Sequence, residues 1–264
     1  MSYKKIISIV NEHTASTIMA RYAIAMAAEE KADLLLYATH GDEVNEAKRH
    51  QTEQHIDHLF AAALELDINV TRISETGRIT KLLPKRAIAE NADLVFYPLA
   101  PEEQYGAALQ THDVHNLLKT VLADLAIMRV VHMGKPHPQR ILIPLGSTIR
   151  DSRQRVRFIA ALAKCFHSNA TLFHLASTNM ALDMPDEIGQ FKRELRLRHI
   201  QVEERSARGH ISKSITVEAI TRHNDLIVVG ASERNTVRRL FFGNPAGDVM
   251  HKPPCNAILF RAAG

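Results

Sequence analysis

The sequence predicts an α/β fold made of two tandem doubly wound domains, each Rossmann-like, with helices on both faces of a parallel sheet. Three observations predict it. Short apolar runs alternate with longer amphipathic stretches along the chain, the pattern of strands joined by helical crossovers. The chain also repeats itself. G-x-I-x-K, Ala-Ile and Asp-Leu recur at one spacing from Gly77 and again from Gly209, and Lys5-Ile-Ile matches Arg140-Ile-Leu. A repeat of that length is too long for a solenoid unit and reads as two copies of one domain. Finally, the stretch from Met133 to Gln139 holds two prolines and a glycine in seven residues, the composition of a linker. The expected domains are 1–132 and 140–264.

In the first copy, aliphatic runs of strand length fall at 6–10, 33–38, 68–73, 94–97 and 126–131. Helices are expected at 16–30, 47–66, 79–90 and 114–122. The first has Ala and Met on its inner face and Thr14 or Ser16 as its cap. The third contains Pro84, which is expected to kink it. In the second copy strands are expected at 141–144, 171–175, 200–205, 226–229 and 257–260, with helices at 151–166, 185–198 and 211–221. Gly230 opens a polar loop, Gly243-Asn244-Pro245 leads into a further helical piece, and Pro253-Pro254 breaks the chain before the last strand. The run 226–229 reads as a strand buried on both faces. The last strand of each copy, 126–131 and 257–260, is apolar and is expected to be a pairing edge.

The closing segment resembles that of the universal stress protein family, in which a strand is followed by G-x2-G-x9-G-[ST], a helix and a last strand. Gly230 matches the first glycine and Gly243 the third, while Glu233 replaces the second and Asn244 the Ser/Thr. The resemblance extends over both copies. It implies a five-stranded sheet in each, and a tandem chain whose copies pair as separate chains do in single-domain members, an intrachain pseudo-dimer. It also implies a stress-response binding or regulatory protein of the cytoplasm that self-associates as a homodimer of tandem chains. In the nucleotide-binding members the glycine loop holds the triphosphate of ATP. ATP, with Mg as its companion ion, is therefore the adenine nucleotide implied for the second copy.

In an open α/β sheet ligands bind past the carboxyl ends of the strands. In the second copy three segments converge there. After the first strand stand Pro144, Leu145, Gly146 and Ser147; the family pattern here is P-[VI]-D-G-S, and Gly146 takes the place of the nucleotide-contacting Asp. After the second strand stands Ala176, an adenine-side wall. After the fourth stand Gly230, Ala231, Ser232 and Arg234, followed by Gly243 and Asn244. Free backbone N–H groups and a helix N-terminus favour a phosphate at such a place. Glu233 opposes it with a negative charge and a Cβ, and Arg234, Arg238 and Arg239 restore positive charge. Two readings stand: a nucleotide in this cleft, or glycines that serve only turns and close packing. The first copy is more eroded, with Asn11 at the Asp position and Pro98 and Pro101 replacing the early glycines. A proline offers no N–H to a phosphate.

Other features exclude more than they assign. A net charge of +4 is too weak to argue for nucleic acid, and the basic run Lys192 to Arg198 reads as a solvated helix face. Cys165 and Cys255 form no C-x-x-C pair and read as buried thiols of a reducing compartment. No apolar run has signal-peptide or membrane-spanning length. His50, His55 and His58 share a helix that reads as an exposed polar face rather than a metal site, and His13, His40 and His112 fall near the first cleft. No nucleophile–base motif is present, so binding rather than catalysis is expected. The competing classes are a weak ATP-hydrolysing enzyme, which would need a carboxylate or base where Gly146 and Asn11 stand, and a non-nucleotide-binding regulatory partner of a membrane transporter.

Overall fold

The computed structural model describes residues 2–41, 45–99, 107–134, 137–176, 184–231 and 249–263. The chain divides into two compact units, Met1–Pro136 with Ala263–Gly264, and His137–Ala262. The first unit runs β1 (Lys5–Ile9), α1 (Thr14–Glu30), β2 (Asp33–His40), α2 (Glu46–Leu64), β3 (Val70–Thr76), α3 (Ile79–Ala89), β4 (Leu94–Leu99), α4 (Ala107–Thr120) and β5 (Asp124–Arg129). Its strands lie in the order β3-β2-β1-β4-β5, all parallel. The second unit runs β6 (Arg140–Leu145), α5 (Ser152–Phe166), β7 (Asn169–Ala176), α6 (Asp186–Arg196), β8 (Val202–Arg208), α7 (Ile211–Thr221), β9 (Leu226–Gly230) and β10 (Asn256–Arg261). Its order is β10-β9-β6-β7-β8, again all parallel. The doubly wound α/β architecture is thus the same in both units.

The central strands carry the core. Leu34 to Ala38 in β2 and Leu226 to Val229 in β9 are buried without alternation, as strands covered on both faces must be. Helices close the core with one stripe each. In α6 that stripe is Ile188, Phe191 and Leu195, with Asp186 and Glu187 in the first turn and Arg193 and Arg196 in the last, charges that complement the helix dipole.

The internal repeat has physical causes. Gly77 and Gly209 directly follow β3 and β8 with φ of +135° and +125°, a region that a side chain would strain. Asp93 and Asp225, the acidic half of each Asp-Leu pair, perform one task. Asp93 Oδ2 accepts from the N–H groups of Lys4 and Lys5 at 2.7 and 3.1 Å, and Asp225 Oδ2 from those of Gln139 and Arg140 at 3.0 and 3.2 Å. Each carboxylate, at the foot of the fourth strand, ties down the amino end of the first. Left-handed residues likewise recur in pairs, Lys31 with His167, Asp67 with His199 and Asn91 with His223.

Several boundaries differ from the sequence reading. Leu145 extends β6 one residue past the expected end at Pro144, and Pro98 and Leu99 belong to β4, which runs past the point where a loop was expected. β3 starts at Val70 rather than 68, and α4 at Ala107 rather than 114. Neither Thr14 nor Ser16 caps α1: the cap position is His13, without a side-chain hydrogen bond, and Ser16 Oγ instead donates to the carbonyls of Asn11 and His13. α3 continues through Pro84. Cys255 is buried, whereas Cys165 is half-buried.

Candidate functional site

The carboxyl ends of β6, β7 and β9 form the cleft of the second unit. Leu145 lies opposite His174 in the β6–β7 register. The β6–β9 ladder stops earlier, with Ile141 against Leu226 and Leu142 against Ile227. Pro144 has no N–H to give a ladder, and past Leu142 the two strands no longer pair. This is the switch point, where the order turns from β7 and β8 on one side to β9 and β10 on the other, the place where doubly wound sheets open a crevice.

Of the residues expected here, four stand at or just past the carboxyl ends of these strands, and two, Ala231 and Leu145, already make hydrogen bonds within the unit. Gly146 and Ser147 are exposed just past β6, and Gly230 is the last residue of β9. Ala176 ends β7. Ala231 follows β9, but its N–H donates to the Phe260 carbonyl at 2.8 Å and is not available to a ligand. Leu145 is buried, and its carbonyl accepts from His174 Nδ1 at 3.2 Å. Past Gly146, the Ile149 N–H donates to Glu187 Oε2 at 2.6 Å, which fastens the β6–α5 loop to the first turn of α6. Ser232, Arg234, Gly243 and Asn244, and Glu233 with them, lie outside the described residues.

A residue that the sequence reading passed over occupies the crevice. A Cβ built on Gly230 would stand 2.7 Å from Arg155 Cζ and 3.0 Å from both Nε and Nη1. Three guanidinium atoms at nearly one distance mean that the group lies face-on against the bare α-carbon. Gly230 has no left-handed φ, so what requires a glycine there is this close approach rather than a turn. Burial lowers the Arg155 pKa to about 10, against the opposing pull of Asp151. Among the described residues no carboxylate pairs with this guanidinium. A signal existed: Arg155 precedes Ile159 by four residues and Leu162 by seven, and both of those are buried. A charge therefore begins an otherwise apolar helical stripe.

The arginines at the opposite, amino-terminal ends of β6, β7 and β8 behave differently. They line a cavity of about 410 Å³ with Asn169, Gln201 and Glu203. Arg205 pairs there with Glu218 at 2.5 Å and Glu203 at 3.5 Å, and Arg140 donates to the Arg222 carbonyl at 2.9 Å. These cations are spent on the fold.

The first unit fills its corresponding cleft with its own side chains. Asn11 Oδ1 accepts from the His13 N–H at 3.0 Å, and the Asn11 carbonyl takes a hydrogen bond from His55 Nδ1 at 2.9 Å. Lys48 pairs with Glu12 at 3.0 Å, and His40 Nε2 stands 3.4 Å from Glu53. Burial pushes the Glu12 carboxyl up, but its backbone hydrogen bond, Lys48 and His13 outweigh that and hold it below the usual range. His55 is therefore no part of an exposed polar face, although His50 and His58 are exposed. Among the described residues no group of three His, Cys, Asp or Glu is placed to hold a metal.

Residues 137–261 match the family model described as the Universal stress protein family. The second unit is a universal stress protein domain. Solved structures extend the likeness to both units. A universal stress protein from Archaeoglobus fulgidus shares 12% identity, covers 98% of this chain and 96% of its own, and has a TM-score of 0.69. A putative universal stress protein from Pseudomonas aeruginosa gives 12% identity, 98% and 93% coverage, and 0.65. The cytoplasmic domain of a prokaryotic cation chloride cotransporter gives 11% identity, 100% and 96% coverage, and 0.68. At such identities the likeness is one of fold, and it is the fold of a tandem universal stress protein. No curated protein matches the chain in sequence. No helix among the described residues is long and apolar enough to cross a membrane.

Proposed function

We propose that this universal stress protein is a cytoplasmic, non-catalytic binding module that takes an adenine nucleotide, ATP in the first instance, in the cleft of its second unit. Occupancy then biases a surface read by a partner. The observation that carries this reading is Arg155, a cation without a carboxylate partner among the described residues, laid against Gly230 where β6 and β9 part. A desolvated cation at the switch point calls for an anion. The spacing from Gly230 to Gly243 resembles that of a loop that holds a triphosphate. The phosphates would lie toward Gly230 and Arg155, the sugar and base toward β7 and Ala176. The expected Asp contact is missing at Gly146, so affinity should be modest.

The test is to denature the purified protein and assay the supernatant for small molecules, then to measure the thermal shift of ligand-free protein on adding ATP. Released adenine nucleotide and a raised Tm are expected. An empty supernatant together with an unmoved Tm overturns the reading.

A second reading is a regulatory partner of a membrane transporter. The shared fold with the cotransporter's cytoplasmic domain favours it over the full length of both chains. It expects one defined transporter subunit to be retained by the protein from solubilised membranes and lost on competition with untagged protein.

A further inference from the structure

We propose that Arg155 is the anion receptor of the second cleft and stands in for a divalent metal, so that a polyphosphate is held there in its metal-free form. This rests on the reading of the cleft as a phosphate site and specifies how that site selects its ligand.

Four observations converge on Arg155. The guanidinium lies face-on against Gly230, with Cζ 2.7 Å from the position a Cβ would take. Its face is thereby used, and its edge, which carries the five N–H donors, is left for a ligand. No carboxylate among the described residues meets that edge; Asp151, at the start of the same helix, acts only through its charge. The side chain also stands in the first turn of α5, the positive end of the helix dipole, where a cation is disfavoured. A desolvated cation at that end is costly unless an anion completes it. Finally, the place is the switch point itself, at the carboxyl end of β9, where β6 and β9 no longer pair.

The same residues explain the independence from metal. A carboxylate is a common holder of such an ion, and the position after β6 carries Gly146 instead. Among the described residues no group of three or more His, Cys, Asp or Glu is placed to hold a metal without the ligand's help. Arg155 supplies the positive charge as a fixed planar fork. Mg²⁺ and the guanidinium then compete for the same phosphate oxygens, and chelation removes charge from the ligand before it arrives.

The experiment titrates full-length protein with tripolyphosphate and, separately, with ATP, each with EDTA and with excess Mg²⁺, by calorimetry. Arg155→Gln and Arg155→Lys are run beside it, with far-UV circular dichroism to confirm their fold. Tripolyphosphate binding in EDTA, weakening with Mg²⁺ and by about tenfold or more in Arg155→Gln, is the expected result. Arg155→Lys should recover part of the loss. If tripolyphosphate behaves so and ATP does not bind, the inference stands and the nucleotide reading fails. If ATP binds only with Mg²⁺, or equally well in Arg155→Gln, the nucleotide reading stands and the inference is overturned. Tighter binding in Arg155→Gln would also overturn it, because Arg155 would then be a plug. Binding of neither ligand overturns both.

Discussion

Gly230 and Arg155 stand 75 positions apart, and their contact explains why one of the two could be read from sequence and the other not. Gly230 announced itself by closing an apolar run and by its distance from Gly243. Arg155 announced itself only as a charge at the head of the Ile159–Leu162 stripe, a pattern that more often marks a helix end rising into solvent. What it touches is settled by the crossover that lays α5 over the sheet. His55 was misjudged for the same reason. Its helix reads as polar, and only the fold brings Nδ1 to the Asn11 carbonyl.

A second residue-scale cluster gives a pH-dependent prediction. Glu75 accepts from the Tyr37 hydroxyl at 2.5 Å and pairs with Arg86. The Tyr37 hydrogen bond, with Arg86 adding its own hydrogen bond and charge, lowers the Glu75 pKa against the effect of burial. Burial and the Glu75 charge in turn raise that of Tyr37, which stays protonated. A depressed carboxyl pKa contributes stability that is present above the unfolded value, about 4.3, and is lost as pH falls through the folded value. Glu75→Gln should therefore cost about 1 kcal/mol at neutral pH and nearly nothing once the pH is well below 4.3, at about 3. Urea unfolding of both proteins across that range measures it. A constant difference at all pH values would show that the ionised form contributes nothing.

At the scale of elements, strand positions were legible because a strand covered on both faces must be apolar throughout. Ends were less so. Pro98 suggested a loop, yet it lies inside β4, as Pro144 lies inside β6. A proline costs a strand one donor, which an interrupted ladder such as β6–β9 tolerates. Helix ends depart from expectation in another way. α1 and α5 each close on a left-handed residue that is not glycine, Lys31 at φ 54° and His167 at φ 53°. The left-handed region costs an L-residue roughly 1 kcal/mol, and glycine nothing comparable. His167 is exposed, and its N–H already caps the Ala163 and Lys164 carbonyls. His167→Gly should keep the cap, relieve the strain and raise stability by up to about 1 kcal/mol, read as a higher urea midpoint at unchanged slope. A lower midpoint would mean that the imidazole makes a contact worth more than the strain.

At the scale of the whole molecule, duplication kept everything that builds the fold and let the two clefts diverge. The kept positions are those with a backbone or capping reason: Gly77 and Gly209 for φ, Asp93 and Asp225 for the foot of the first strand. The clefts carry no such constraint, so their contents drifted in opposite directions. The first turned inward, with Lys48 on Glu12, His55 on the Asn11 carbonyl and His40 beside Glu53. Lys48, Glu12 and His55 each have a partner within the unit, and Pro98 offers no N–H at the end of β4. The second left Arg155 without a carboxylate partner among the described residues, and Gly146 exposed. A ligand entering the first cleft would have to break the Lys48–Glu12 pair and displace His55, whereas one entering the second completes a charge. The expected stoichiometry is therefore one polyphosphate per chain, not two, and native mass spectrometry of protein saturated with tripolyphosphate counts it directly. Lys48→Met together with His55→Ala should leave that count at one, because they remove the occupants of the first cleft without supplying phosphate donors. A second ligand in the wild-type chain would show that the first cleft opens under load and that the duplication preserved two sites.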